Sequence, residues 1–460
     1  MENNGSKKMY RIAFVNPPGK FRYLRDYYCG SIAKSNYYYP PIDFLWLSAG
    51  LDFPCKVFDA IVDNISLKQL IKKLVSYNPH FIFCLISGIS FKDDLLFIKT
   101  VKKYLREVKL IVLGDICRDY YKDLLLKYLE IDAVLISFVC TKIKEILINF
   151  PPTHPFPGCA IRLEDGSIIE EVEKMPSGDF KIGIPKWEIF PINKYRFPFV
   201  KRIPCATVLT DYGCPFTCPF CPIGMLPWRK REFEEIKKEI NYLLSLGIRE
   251  IHFRDQTFGV DKQLTIALLE FMMKKDVTWS CFTRLDIISK ELIIMMKKAG
   301  CHTIIFGVES GVYDNRKKYD KPISDALIKE VLSWCSEVGI NTVGTFIIGL
   351  PGENETDILK TIEFAKSLSL DYASFNIAYP RFGSRLLKDC LLELEDKENF
   401  DSDFYKKLGF MSYQKSKKFV RLANRRFYLR LPYLVKKIKK TKSLPVLLNE
   451  IKIGLGLIKR

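Results

Sequence analysis

Cys205-Ala206-Thr207-Val208-Leu209-Thr210-Asp211-Tyr212-Gly213-Cys214-Pro215-Phe216-Thr217-Cys218-Pro219-Phe220-Cys221 is the stretch on which the reading of this chain turns. Its first half is β-branched and apolar without a helical period, which predicts a buried strand over 206–210. Asp211-Tyr212-Gly213 ends the strand, and three cysteines follow within eight residues on a loop stiffened by Pro215, Pro219 and Pro222. Three thiolates that close together can converge on one metal centre. Downstream the strand texture returns at 250–253, 278–282, 303–308, 342–348 and 372–377, each time separated by a segment long enough for a helix. Six such units over 205–385 predict a partial (β/α)6 barrel with its function on the loops after each strand.

Upstream, residues 9–150 alternate strand-like runs (11–15, 56–59, 81–86, 109–113, 133–136) with helical-period segments such as 67–77 and 91–105. Five β/α repeats predict a Rossmann-like, doubly wound parallel sheet, whose ligands bind at the carboxyl ends of the strands. Those ends carry Asn16-Pro17-Pro18-Gly19, Ser87-Gly88 and Gly114-Asp115. Residues 151–204 hold nine of the 24 prolines and read as a connector, with a hairpin about Asp165-Gly166 turning the chain toward the barrel. Residues 386–460 read as a helical, basic carboxyl-terminal region. The net charge of +19 first suggests a polyanionic partner, but +14 of it lies in residues 415–460, where 15 Lys and Arg face one acid, Glu450. The body before it is nearly balanced. With 48% hydrophobic and 27% charged residues the chain is globular, and its 14 cysteines are too sparse for a disulfide scaffold. No apolar run follows Lys7-Lys8 and nowhere do 18 apolar residues run together, so neither a secretory leader nor a membrane span is expected. A cytoplasmic, reducing setting favours thiols as metal ligands.

Spacing alone leaves two metal centres open. One is a structural zinc site with Cys205 as fourth ligand. The other is an iron–sulfur cluster held by three thiolates with one iron left open. Cys-x3-Cys-x2-Cys with an aromatic before the third cysteine, on the first loop of a six-unit β/α series, resembles the radical S-adenosylmethionine enzymes. The resemblance implies that Cys214, Cys218 and Cys221 ligate a [4Fe-4S] cluster and that S-adenosylmethionine chelates the open iron. An electron from the cluster would then cleave the sulfonium to methionine and a 5′-deoxyadenosyl radical that abstracts substrate hydrogen. Ile251 to Phe258, Trp279 to Asp286, Gly307 to Gly311 and Gly349 to Glu353 follow at successive strand ends in the same order as in that family. By the resemblance, Phe220, Asp255, Arg284, Glu309, Gly349 and Gly352 contact S-adenosylmethionine. Arg284 suits its carboxylate, Glu309 its ribose hydroxyls, and the Gly349 to Gly352 turn its adenine. Taken singly, Glu309 could instead cap a helix and Arg284 could pair with Asp286.

Asn16-Pro17-Pro18, Pro40 to Leu51 and Val57-Phe58-Asp59 look like the cobalamin-binding domain that precedes the barrel in one large subfamily, and Arg425 to Tyr433 is similar to the region after it. Asn16, Ser87 and Gly114 are the implied cobalamin contacts. The chain departs from that pattern: it has no Asp-x-His-x-x-Gly, Gly114-Asp115 stands for Gly-Gly, and Ser137-Phe138-Val139-Cys140 stands for Gly-Glu-x-Glu. The expected activity is cobalamin-dependent methylation of an unactivated carbon of a small molecule or lipid, with flavodoxin or ferredoxin as electron donor. The alternatives are a cobalamin-independent radical cyclase or rearrangement enzyme, and a membrane or nucleic-acid binding protein with a structural cysteine site. The catalytic residues toward the substrate are not legible. The basic tail suits peripheral contact with an anionic membrane better than nucleic acid, and the alternative is a solvated helical cap over the barrel.

Overall fold

A computed structural model describes residues 9–28, 30–34, 37–137, 142–171, 180–391 and 410–440. The amino-terminal sheet is built from β1 (Ile12–Asn16), β2 (Cys55–Asp59), β3 (Phe81–Leu85), β4 (Lys109–Leu113), β5 (Ala133–Leu135), β6 (Cys159–Arg162) and β7 (Ile168–Glu171). Its order is β2-β1-β3-β4-β5-β6-β7, with the first five strands parallel. Alternation sets the two faces. Ala13, Val15, Ile82 and Cys84 pack against Leu70, Leu74, Ile98 and Leu124 of the flanking helices, whereas Ile12, Phe14, Phe83 and Leu85 pack against Phe44, Leu45, Ile143 and Ile146. Helices on both faces make the sheet doubly wound, and the order reverses between β1 and β3, where such sheets bind ligands.

The hairpin expected about Asp165-Gly166 forms, but it does not lead toward the barrel. β6 pairs antiparallel with β5 and β7 with β6, so the hairpin extends the first sheet. Without it β5 would present an open edge beside the Pro-rich segment.

The second sheet contains β8 (Cys205–Val208), β9 (Glu250–Phe253), β10 (Thr278–Thr283), β11 (Cys301–Glu309), β12 (Asn341–Ile348) and β13 (Tyr372–Ile377) in sequential order. All pairings are parallel, which gives the open (β/α)6 barrel expected from the sequence. Phe14 of the first sheet, Phe44 of helix Ile42–Ala49 and Ile251, Trp279 and Phe306 of the barrel share one hydrophobic core. The free edge of β13 is covered by helix Tyr413–Tyr428, which buries Phe419, Ala423 and Phe427. Tyr428 Oη donates to Ala373 O at 2.6 Å and accepts from Ala373 N at 3.1 Å, so the edge backbone is satisfied by a side chain. No helix among the described residues is long and apolar enough to cross a membrane. Residues 392–409 and 441–460, the latter including the end of the basic tail, lie outside the described residues.

Candidate cofactor site

The cysteine loop hangs from a two-residue antiparallel ribbon in which Asp211 pairs with Lys230 and Tyr212 with Arg229. Only glycine fits at Gly213: its φ is +77°, and a Cβ there would stand 2.3 Å from Pro227 O. Inside the loop Cys221 N donates to Cys218 O at 3.0 Å and Gly224 N to Cys221 O at 3.3 Å. The base of the loop is braced by Asp255 at the end of β9. Its carboxylate accepts from Thr210 N (2.6 Å), Thr210 Oγ1 (2.7 Å) and Asp211 N (3.2 Å). The sequence expectation made Asp255 a cofactor contact. Its oxygens instead face three protein donors, and it acts on the site through the loop it holds.

Cys214 Sγ lies 3.5 Å from Thr257 Oγ1, and Arg284 Nη1 donates to Cys218 Sγ at 3.5 Å. Arg284 also pairs with Asp286 through Nε (2.9 Å) and Nη2 (2.7 Å) and stacks 3.8 Å over the Phe216 ring. The ion pair open in the sequence reading therefore forms, and Nη1 remains aimed at the cysteine loop. Burial raises all three thiols, Cys221 to about 11. At Cys218 the Lys321 and Arg284 cations oppose burial, and the neighbouring Cys214 thiol reinforces it. Thiols this deep need positive charge to be held as thiolates, and the cations stand beside Cys218.

Lys321, which sequence reading passed over, donates to Glu309 Oε1 at 2.8 Å, with both side chains nearly buried. Glu309 has φ +67°, a left-handed conformation that a glutamate adopts at a cost of ~1–3 kcal/mol. It follows an irregularity in the β11–β12 register. No local pattern announces Lys321, because it comes to the site on the segment after helix Tyr313–Lys318.

Phe220 lies in an apolar cluster with Tyr319, Ile347, Leu350 and Ala378, its ring centroid 6.1 Å from that of Tyr319. Above it the Gly349 to Gly352 turn takes φ +85° and +81° at its glycines. Pro351 O accepts from Tyr319 Oη at 2.5 Å and from Lys318 Nζ at 3.0 Å. Glu353 Oε2 accepts from Gly349 N (2.6 Å) and Leu350 N (3.2 Å). Phe220, Arg284, Glu309, Gly349 and Gly352 thus all stand on the barrel mouth around the cysteine loop.

Cys205 begins β8 and donates to Tyr195 O at 3.4 Å. It lies at the opposite end of the strand from the cysteine loop, so the four-cysteine zinc site does not form. Among the described residues, no three His, Cys, Asp or Glu side chains are drawn together as the ligands of one ion would be. A cubane asks for a wider set, because each thiolate takes a different iron. Three loop cysteines with adjacent cations fit that group.

At the carboxyl edge of the first sheet, residues 20–28 and 30–34 fold back as a strap. Arg25, wholly buried, bonds Asn16 Oδ1 (2.9 Å), Pro17 O (2.8 Å) and Ser90 Oγ (2.9 Å) and pairs with buried Asp94 at 2.7 Å. It bridges the loops after β1 and β3 and fills the crevice between them. Asp115 accepts from Gly30 N (2.7 Å), Gly88 N (3.1 Å) and Ser87 Oγ (3.2 Å). Ser87 and Gly114, expected cobalamin contacts, are consequently sealed beneath the strap. Gly114 has a further reason to be glycine, since a Cβ there would stand 1.9 Å from Ile86 O. Asn16 alone of the three opens onto a cavity between sheet and barrel, lined also by Ser31, Tyr37, Tyr39, Arg254 and Phe282. Phe138, Val139 and Cys140 lie outside the described residues.

Comparison with known proteins agrees with this architecture. The chain is 26% identical over 416 residues to an uncharacterized methyltransferase of Pyrococcus horikoshii, covering 87% of this chain and 90% of that one. It is 24% identical over 420 residues to the anaerobic magnesium-protoporphyrin IX monomethyl ester cyclase of Rubrivivax gelatinosus, covering 86% and 72%. Among solved structures it shares the fold of the radical S-adenosylmethionine methyltransferase TsrM from Kitasatospora setae, solved with cobalamin and a [4Fe-4S] cluster bound, at TM-score 0.65 and 15% identity over 84% of this chain and 78% of that one. Residues 208–365 match the Radical SAM superfamily model, a span that runs from the end of β8 into the helix after β12. With its cysteine loop seated on that barrel, this chain carries a radical SAM domain, and that family needs a [4Fe-4S] cluster and S-adenosylmethionine.

Proposed function

We propose that the chain is a radical C-methyltransferase acting on an unactivated carbon of a small molecule or lipid. The observation that carries the reading is the ribbon-clamped cysteine loop facing Arg284, Lys321 and Glu309 across the barrel mouth, opposite the carboxyl edge of a Rossmann-like sheet. When bound, the cluster and S-adenosylmethionine supply an electron-driven cleavage of the sulfonium, and cobalamin would supply the methyl group.

In this reading Cys214, Cys218 and Cys221 hold the cluster, and the Arg284 cation offsets the negative charge of the thiolates. Arg284 and Lys321 offer cations to a carboxylate, and Glu309 offers an acceptor to ribose hydroxyls. Phe220, Leu350 and Ala378 give adenine an apolar seat. Cobalamin would be held in the cavity that Asn16, Ser31, Tyr37 and Arg254 line, on the strap rather than against Ser87 and Gly114. Burial of Cys218 and Arg284 keeps water from the reacting centre. Reduction falls to a donor of the flavodoxin or ferredoxin class in a cytoplasmic setting.

The likeness to the ester cyclase supports a second reading, a radical cyclase. One assay separates the two. The reconstituted chain is incubated anaerobically with S-adenosylmethionine, reductant and cobalamin. With no acceptor substrate present, a methyltransferase passes the methyl of S-adenosylmethionine to reduced cobalamin and leaves about one S-adenosylhomocysteine per bound cobalamin, and a cyclase leaves none.

A further inference from the structure

Helix Leu431–Lys440 presents two unlike faces. On the inner one, Tyr433 is buried and its Oη donates to Asp371 O at 3.1 Å, which docks the helix beside the edge of the barrel. On the outer one, Leu431, Leu434 and Val435 are 73%, 41% and 40% exposed, and Leu429 just before them is 52% exposed. Spacings of three and four place Leu431, Leu434 and Val435 on one stripe. Large apolar side chains in that density on an outward face go beyond the scattered exposure every protein surface shows.

Charge identifies what covers the stripe. In the sequence Lys436, Lys437, Lys439 and Lys440 follow directly on the stripe, and residues 429–440 contain no acid. An apolar stripe inside a lysine-rich helix, rigidly attached to a folded body by its other face, matches an anionic lipid surface. The apolar side chains enter the headgroup boundary while the cations meet lipid phosphates. Nucleic acid would use the cations and leave the leucines in water. We propose that helix Leu431–Lys440 docks the enzyme on an anionic membrane surface through Leu429, Leu431, Leu434 and Val435.

The test is flotation of the full-length chain with vesicles of phosphatidylcholine alone and of phosphatidylcholine with phosphatidylglycerol. Iron content and thermal unfolding of each variant report on the fold. The wild-type chain is expected to float with the anionic vesicles and not with the neutral ones. The variant Leu431→Glu/Leu434→Glu/Val435→Glu should lose about tenfold or more in partitioning. If that variant misfolds, Leu431→Ser/Leu434→Ser serves instead and should lose in the same direction. Flotation of a folded variant equal to wild type overturns the proposal, as does wild-type binding to neither vesicle. RNA binding that displaces the vesicles and is indifferent to the substitutions overturns it too. So does a wild-type dimer, split by the substitutions, that ignores vesicles, since the stripe would then be an interface between copies of the chain.

Discussion

At the residue scale, the site is governed by a few buried charges. Lys321 and Glu309 are nearly buried together, so removing one charge leaves the other without a partner. Glu309→Gln should cost ~3 kcal/mol in equilibrium unfolding, with weaker S-adenosylmethionine binding in equilibrium dialysis and full iron content. An unchanged unfolding midpoint would show that the pair does not support the barrel mouth. Arg284→Ala should likewise spare the iron and weaken binding, since it deletes a cation beside Cys218. Glu353 gives a pH signature. Burial raises its carboxyl from 4.5 to about 7, so the folded state takes up a proton that the unfolded chain gives up near 4.5. Its contribution to stability is therefore full below about 4.5 and is lost as pH rises through about 7. Glu353→Gln, which imitates the protonated form, should match wild type at pH 5 and exceed it by ~2 kcal/mol at pH 8 in denaturant melts. Parallel curves for the two proteins would contradict the assignment. The cysteines and Arg284 were legible in the sequence because their spacing and strand-end positions are local. The place of Lys321 was not, because only the fold brings it to Glu309.

At the element scale, the strands were readable because a strand buried on both faces reads as a nearly continuous apolar run, and β1, β3 and β4 are such runs. The destination of the hairpin β6–β7 was not readable, since turn chemistry at Asp165-Gly166 specifies a reversal and says nothing of which sheet receives it. The strap was invisible for the same reason. Arg25 is one arginine in an irregular segment until the fold sets it between Asn16 and Asp94. Two substitutions test these elements. Gly114→Ala forces a Cβ against the Ile86 carbonyl at a φ of +135°, and should cost more than ~3 kcal/mol in thermal unfolding. Arg25→Ala leaves Asp94 buried without its partner, and should destabilise the chain by ~3–5 kcal/mol and raise proteolytic cleavage within residues 20–34. Protease resistance equal to wild type would mean that the strap is held by other contacts.

At the scale of the whole molecule, a shared core couples the Rossmann-like sheet and the barrel. The carboxyl edge of the sheet and the mouth of the barrel meet at the cavity of Asn16 and Arg254. This arrangement brings the cysteine loop and the proposed cobalamin cavity to one place. The net charge of +19 belongs mostly to residues 415–460, which carry +14 of it. The whole account rests on what the loop of Cys214, Cys218 and Cys221 holds. Anaerobic reconstitution with iron and sulfide, followed by metal analysis and electron paramagnetic resonance of the reduced protein with and without S-adenosylmethionine, measures this directly. The account predicts about four irons per chain, a reduced-cluster signal that shifts when S-adenosylmethionine is added, and loss of both in the Cys214→Ala/Cys218→Ala/Cys221→Ala variant. Stoichiometric zinc without iron, or an iron signal that survives the triple substitution, would contradict it.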